Sequence, residues 1–326
     1  MSEIKQMFFV EAIRNAVELE MRRDPTIFVA GEDVTEGGNY GEYLNMVQEF
    51  PDRIVDTPIT ETAIVGLGVG AAAMGMRPIC AMSKVDFMMV AMDEIVNQVS
   101  KFRYMYGGNV KLPMVLHASF GVRRQAAAQH SQSLEAFFTH LPGVKVVIPS
   151  TPSDGKGLMA AALRDDNPVV FMQNLRLLPT KGDAPVGEHI LPLGKCDVKR
   201  DGKDLTIVAW GGCVQESIAV ADKLEKEQGI SVEVVDLRTL IPLDLDGILK
   251  SLEKTGRLMI VHEAIQQSGF GAEIAAQVAD AGFDLLDAPI KRLGAPLCPV
   301  PSSPILEAAY LVDQAKIEAA ILGFLR

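Results

Sequence analysis

Two ionisable side chains stand where their neighbours could make them chemically useful. Glu61 closes the run DTPITE and is followed, after Thr62 and Ala63, by IVGLGVGAAAMG, with no acidic residue until Asp86. A carboxylate backed by apolar residues sits in a dry setting, where coupling to a partner is stronger than in water. The ordinary alternative is a first-turn acid favoured by the helix dipole, and on the residues alone both readings stand. His130 lies in RRQAAAQHSQS, a polar loop rich in hydroxyl and amide groups. An imidazole there can serve as acid or base near neutral pH, or can simply be bonded into a network that starts the next helix. The other histidines fit chemistry less well. His117 falls on a strand, His140 on an amphipathic helix, His189 in an irregular stretch and His262 at a strand end. None has a metal-ligand spacing.

Positioning Glu61 requires a helix that begins beside it. Pro58 suits a helix start and Thr60 an N-cap. Gly66, Gly68 and Gly70 follow, each costing a helix about 1 kcal/mol relative to alanine. Gly66 and Gly70 share one face, and the expected compensation is close approach of another backbone. GLGVG is not a dinucleotide fingerprint, because that motif needs its glycines in the turn between strand and helix. The chain also lacks GxxxxGK[ST] and GxSxG.

Strands are expected at 26–31, 77–82, 111–118, 144–150 and 168–173, with helices over 7–23, 86–105 and 153–164 between them. After a loose, Pro- and Gly-containing crossover the alternation restarts at 204–212 and ends in a helix over 314–325. Apolar strands alternating with helices give an α/β fold of two parallel-sheet domains. The expected boundaries are 1–180, a linker at 181–203, and 204–326. The length of 326 residues agrees with two domains. A net charge of −11 argues against nucleic acid or an anionic membrane as partner. No apolar run reaches the roughly 18 residues of a membrane span. The N-terminal segment lacks a signal-peptide shape, and the four cysteines are far apart. A cytoplasmic protein with reduced core thiols is expected.

Taken together, DTPITE, the glycine-spaced helix, AAQHSQS, PGVKVVIPSTPSDGKGLM and RDDNPVVF resemble the β subunit of the thiamine-diphosphate-dependent component of 2-oxo acid dehydrogenase complexes. GEDV, DFMMVAMDEIVNQVSKFRYM, VVDLRTLIPLD and VHEA extend the likeness over nearly the whole chain. The resemblance implies a transketolase-like pyrimidine-binding domain followed by a transketolase C-terminal-type domain. It implies that Glu61 hydrogen-bonds the N1′ nitrogen of the cofactor's aminopyrimidine, that Phe87 packs along the cofactor, and that Val90 lines it. His130 matches a histidine that handles protons and acyl transfer to a lipoyl arm. Asp165, Asn167 and the carbonyls of Ala162 and Leu163 match a potassium site of some members. The GDG that holds the Mg²⁺–diphosphate in this superfamily is absent. An α subunit is therefore expected to bring that half, in an α2β2 heterotetramer, with a lipoyl transacylase as further partner.

The implied activity is cleavage of a C–C bond beside a carbonyl in a 2-oxo acid of the pyruvate type, or in acetoin, with acyl transfer to lipoamide. MRRDP, KFRYMYGG and AAAQHSQ are closest to the acetoin type. Val90, Ala81 and Glu94 depart from residues common among relatives. Val90 and Ala81 are the only support for a subunit that keeps the assembly but not catalysis. A stand-alone enzyme of the transketolase superfamily is the other alternative, and the missing GDG speaks against it.

Overall fold

Short, largely apolar and mostly buried runs form the central strands of the first unit. The computed structural model describes residues 3–325, and the chain divides into two units. The first takes residues up to Phe120 together with Phe137–Leu193; the second takes Gly121–Ala136 and everything from Gly194.

The first unit begins with β1 (Ile4–Phe8), α1 (Phe9–Arg23), β2 (Ile27–Gly31), α2 (Met46–Glu49), β3 (Ile54–Asp56), α3 (Glu61–Ala73) and β4 (Arg77–Lys84). It continues with α4 (Val85–Met88), α5 (Phe102–Met105) and β5 (Val115–Phe120). After α6 (Glu135–Thr139) come β6 (Lys145–Val147), α7 (Pro152–Arg164), β7 (Val169–Asn174) and β8 (Lys181–Pro185). Within this unit six strands run parallel in the order β6-β7-β5-β4-β2-β3. Every residue of β5 and β7 is buried, as a sheet covered on both faces requires. The chain leaves β2 towards β3 on one side and returns to β4 on the other. That reversal opens a crevice at the strands' C-terminal ends, where ligands of such sheets bind.

The second unit holds β9 (Asp197–Arg200), β10 (Leu205–Ala209), α8 (Gly212–Gln228), β11 (Val232–Asp236), β12 (Thr239–Ile241) and α9 (Leu245–Thr255). Then follow β13 (Leu258–Ile265), α10 (Phe270–Ala281), β14 (Lys291–Ala295), α11 (Pro304–Tyr310) and α12 (Gln314–Phe324). Its sheet order is β14-β13-β10-β11-β9. Leu205, Ile207, Val234, Met259 and Val261 centre its core, against α8 and α12.

Four expectations need correction. The helix expected from Met7 starts at Phe9, because Met7 and Phe8 pair with β8 instead. The long helix over 86–105 is a chain of short α, 3₁₀ and π turns; Ser100 Oγ bonds back to the Val96 carbonyl at 2.6 Å, a pattern that disturbs regular helix. The crossover supplies two strands, β8 and β9, and β9 joins the second sheet antiparallel, so that sheet is not wholly parallel. Thr60 occupies the N-cap position of α3, but its side chain makes no capping bond.

Candidate active site

The crevice is built by parallel register. Gly31 pairs with Asp56 on one side and Ala81 on the other. A side chain at 31 would overlap the Ala81 carbonyl oxygen, so only glycine lets these strands approach. The chain then delivers Glu32 directly beyond β2, and Glu61 five residues beyond β3. Glu61 is the first residue of α3 and only 6% exposed. Behind it the buried face of the helix is apolar: Ile64, Val65, Val69 and Ala72. Asp56 accepts the Thr35 N–H at 2.9 Å, and Thr57 donates its N–H to the Gly31 carbonyl at 2.9 Å. These bonds fix the approach to Glu61.

Glu32 and Glu61 meet. Burial pushes the Glu32 carboxyl up to about 7, helped by the neighbouring charge of Glu61, a hydrogen bond between the two, and Asp33. Glu32 therefore keeps its proton to higher pH than an ordinary carboxyl and can share a hydrogen bond with Glu61. Two carboxyls sharing a proton at a helix N-terminus form a unit suited to exchanging a proton with a ring nitrogen. Glu32 Oε1 and Thr57 Oγ1 are buried without a hydrogen-bond partner among the described residues. Buried polar atoms of this kind call for a partner, which a water or a polar ligand can supply.

Phe87 lies half-buried in α4, and Val90 stands 58% exposed on the Met89–Ala91 turn. That turn packs against α3. Ala81 is buried against Gly31, and Glu94 has one buried oxygen without a partner among the described residues. The outer face of α3 is bare: Ala63, Gly66, Leu67, Gly70 and Met74 are exposed. No atom outside the helix's own backbone lies within 4 Å of where a methyl at Gly66 or Gly70 would stand, whereas one at Gly68 would overlap Cys80 Sγ. Of the three costly glycines, Gly68 is explained inside the chain and the other two are not.

The potassium candidates lie at the opposite, N-terminal ends of this sheet's strands. Ala162 and Leu163 are in the last turn of α7; Asp165 and Asn167 lead into the start of β7. The Arg77 guanidinium donates to the Leu163 carbonyl at 3.1 Å and the Asp165 carbonyl at 2.9 Å. Lys145 pairs with the Asp165 carboxylate, and Arg103 with Asn167 Oδ1. The Ala162 carbonyl accepts the Asp165 N–H at 3.3 Å. Burial pushes the Asp165 carboxyl up, but Lys145 and Asn167 outweigh it and hold it low. Positive side chains already sit on most of these oxygens, which is a poor fit for an added cation.

His130 belongs to the second unit. Its loop follows β5, and its ring is exposed at the loop tip. Ser131 beside it is 1% exposed, with a hydroxyl that has no partner among the described residues. The base of the loop rests on buried polar groups that the residue pattern did not single out. Glu135 Oε1 accepts the Trp210 Nε1–H at 3.0 Å. Burial drives the Glu135 carboxyl up to about 7, opposed by that bond and assisted by the charge of Glu263. Trp210 stacks on His262, ring centres 5.0 Å apart. Burial depresses the His262 imidazole to about 4 and keeps it neutral. Glu32 could be placed from GEDV only as a strand-end acid, and Glu135 looks like any first-turn helix acid.

Comparison with known proteins agrees with the two-unit fold. Residues 5–181 match the family described as transketolase, pyrimidine binding domain, and residues 194–317 the transketolase C-terminal domain. The chain is 45% identical over 95% of its length to the β subunit of acetoin:2,6-dichlorophenolindophenol oxidoreductase from Cupriavidus necator, covering 94% of that protein. It is 42% identical to the 2-oxoisovalerate dehydrogenase β subunit of Bacillus subtilis, covering 97% of each. It is also 42% identical to the pyruvate dehydrogenase E1 β subunit of that organism, over 89% of this chain and 90% of the other. Among solved structures, a split-gene transketolase described as an inactive β4 tetramer superposes with a TM-score of 0.78 at 22% identity, covering 98% of this chain and 99% of that one. Among the described residues no helix is long and apolar enough to cross a membrane.

Proposed function

The chain belongs to the family of β subunits of thiamine-diphosphate-dependent 2-oxo acid and acetoin dehydrogenases, and from that premise we propose that it is the β subunit of such an enzyme, holding the pyrimidine half of the cofactor. The observation that carries the reading is Glu61, buried at the mouth of an apolar helix and paired with Glu32. Bound thiamine diphosphate would supply the electron sink that lets a C–C bond beside a carbonyl break. Glu61 would hold the proton shared with N1′ of the aminopyrimidine. Glu32, near neutrality, would keep that proton available. Phe87 and Val90 would flank the ring, and the partnerless oxygens of Glu32 and Thr57 support a polar ligand here. His130 would handle protons at the substrate end and assist acyl transfer to lipoamide.

The diphosphate and its Mg²⁺ are assigned to an α subunit, in a cytoplasmic α2β2 assembly served by a lipoyl transacylase. Gly66 and Gly70, open on the outer face of α3, support a close helix contact with that subunit. At Ala162, Leu163, Asp165 and Asn167 the positive charge is assigned to Arg77 and Lys145; potassium would have to compete with them. The acetoin-type features of the sequence favour acetoin over a 2-oxo acid. The deciding experiment is reconstitution with the α chain. Glu61→Gln is expected to cut turnover with a dye acceptor by about 10²-fold or more while the assembly persists. Full activity in that variant ends the assignment.

A further inference from the structure

Resting on the proposed role of His130, we infer that Glu263 and Glu307 are positioning residues that clamp the His130 loop by accepting its backbone N–H groups. The loop is conformationally costly. Arg124, Gln125 and Ala127 adopt left-handed backbone, with φ of 54°, 54° and 63°, a region non-glycine residues avoid. Its tip is also solvent-facing at Arg124, Gln125, Gln129 and His130. A strained, exposed loop keeps one shape only when its surroundings impose it.

Two buried carboxylates do so from different elements. Glu263 on β13 is 4% exposed, and its Oε1 accepts the Val122 N–H at 2.6 Å. Glu307 on α11 is 7% exposed, and its Oε2 accepts the Gln125 N–H at 2.9 Å. Bonds to an ionised acceptor are shorter and stronger than neutral ones. The dependence is mutual, because a buried carboxylate stripped of its donors is costly. The Val122 side chain joins Ala295, Val300 and Tyr310 in a small apolar cluster, and the Gly121 N–H bonds the Gln132 carbonyl at 3.1 Å. The incoming limb is therefore fixed at 122 and 125 and the outgoing limb at 132. His130 rides on the short span between them, where a shift of its backbone would misplace the imidazole.

Trypsin provides the test, since Arg123 and Arg124 lie in the clamped stretch. In the full chain co-purified with its α subunit, Glu307→Ala is expected to speed cutting after these arginines by about tenfold or more. Turnover should fall about as much with KM little changed, while Glu307→Gln, which keeps an acceptor oxygen, restores both. Cutting at the wild-type rate in Glu307→Ala overturns the clamp. Should that variant not fold, amide exchange in the wild type decides. Slow exchange at Val122 and Gln125 supports the clamp, and exchange at the unprotected rate refutes it. His130→Asn separates this inference from the reading beneath it. Full turnover in that variant, with faster cutting in Glu307→Ala, leaves the clamp standing and removes the catalytic role.

Discussion

Gly66 and Gly70 offer an experiment in which stability and assembly should move in opposite directions. An alanine methyl at either position meets nothing within 4 Å beyond the helix's own backbone. Each substitution should therefore deliver the helix-propensity gain of about 0.8–1 kcal/mol undiminished. The double variant should be stabler by about 1.5–2 kcal/mol, raising the melting temperature of the first unit by roughly 3–8 °C. Gly68 is the internal control. A methyl there would overlap Cys80 Sγ and stand 2.9 Å from Met114 Cε, both fully or nearly fully buried. Overpacking of about 1–3 kcal/mol should cancel or exceed the propensity gain, so Gly68→Ala should melt at or below the wild type. Association with the α subunit should respond the other way. Two methyls between closely packed helices force the backbones apart, and dissociation should strengthen by at least about tenfold, or about 1.4 kcal/mol. Calorimetry of the isolated chain and native mass spectrometry of the mixture read the two quantities. If the Gly66→Ala, Gly70→Ala chain is stabler yet assembles with wild-type affinity, close backbone approach is not why those glycines are there.

Glu32→Gln should remove a titration near pH 7 from the pH–rate profile, because the Glu32 carboxyl is held at about 7 beside Glu61. An unchanged profile would mean that the pair does not govern turnover. Glu135 makes a claim about stability: its carboxyl rises from 4.5 to about 7 on folding. The fold is thus favoured below pH 4.5, and that advantage is lost as pH climbs to 7, by up to about 3 kcal/mol. Glu135→Gln should gain on the wild type between pH 5 and pH 8, and the fluorescence of Trp210, the chain's single tryptophan, should lose a transition near pH 7. Parallel melting curves across that range would refute it. Replacing potassium by sodium at constant ionic strength should move the melting temperature by less than about 1 °C, because Arg77 and Lys145 already hold the oxygens of 163–165; a large potassium-specific gain would show that the ion displaces them.

The parallel framework was legible because β2, β4, β5 and β7 are mostly buried and read as largely apolar runs with few charges. Elements whose identity depends on a distant partner were not. β1 and β8 are mostly exposed or half-buried residues held together by pairing across 177 positions, and no local pattern announces such a pairing. Within the site, Glu61 could be singled out by its isolation ahead of an apolar helix. The Glu32–Glu61 contact could not, because it arises from the register of β2 against β3. The polar groups under the His130 loop escaped for the same reason. Glu135, Trp210, Glu263 and Glu307 are spread over more than 170 residues and converge only in the fold.

The bare flank of α3 also bears on how the protein must be supplied. Ile59 is 78% exposed, Leu67 47% and Met74 86%, and the glycines between Leu67 and its neighbours leave a surface with little to repel another apolar helix. A chain synthesised without its partner presents this flank to chaperones, to proteases and to other copies of itself. If the proposed α subunit covers this flank, balanced synthesis of the two subunits is expected to govern recovery of soluble protein as well as activity. Recombinant yield should therefore track the dose of the partner gene more closely than the strength of this chain's own promoter.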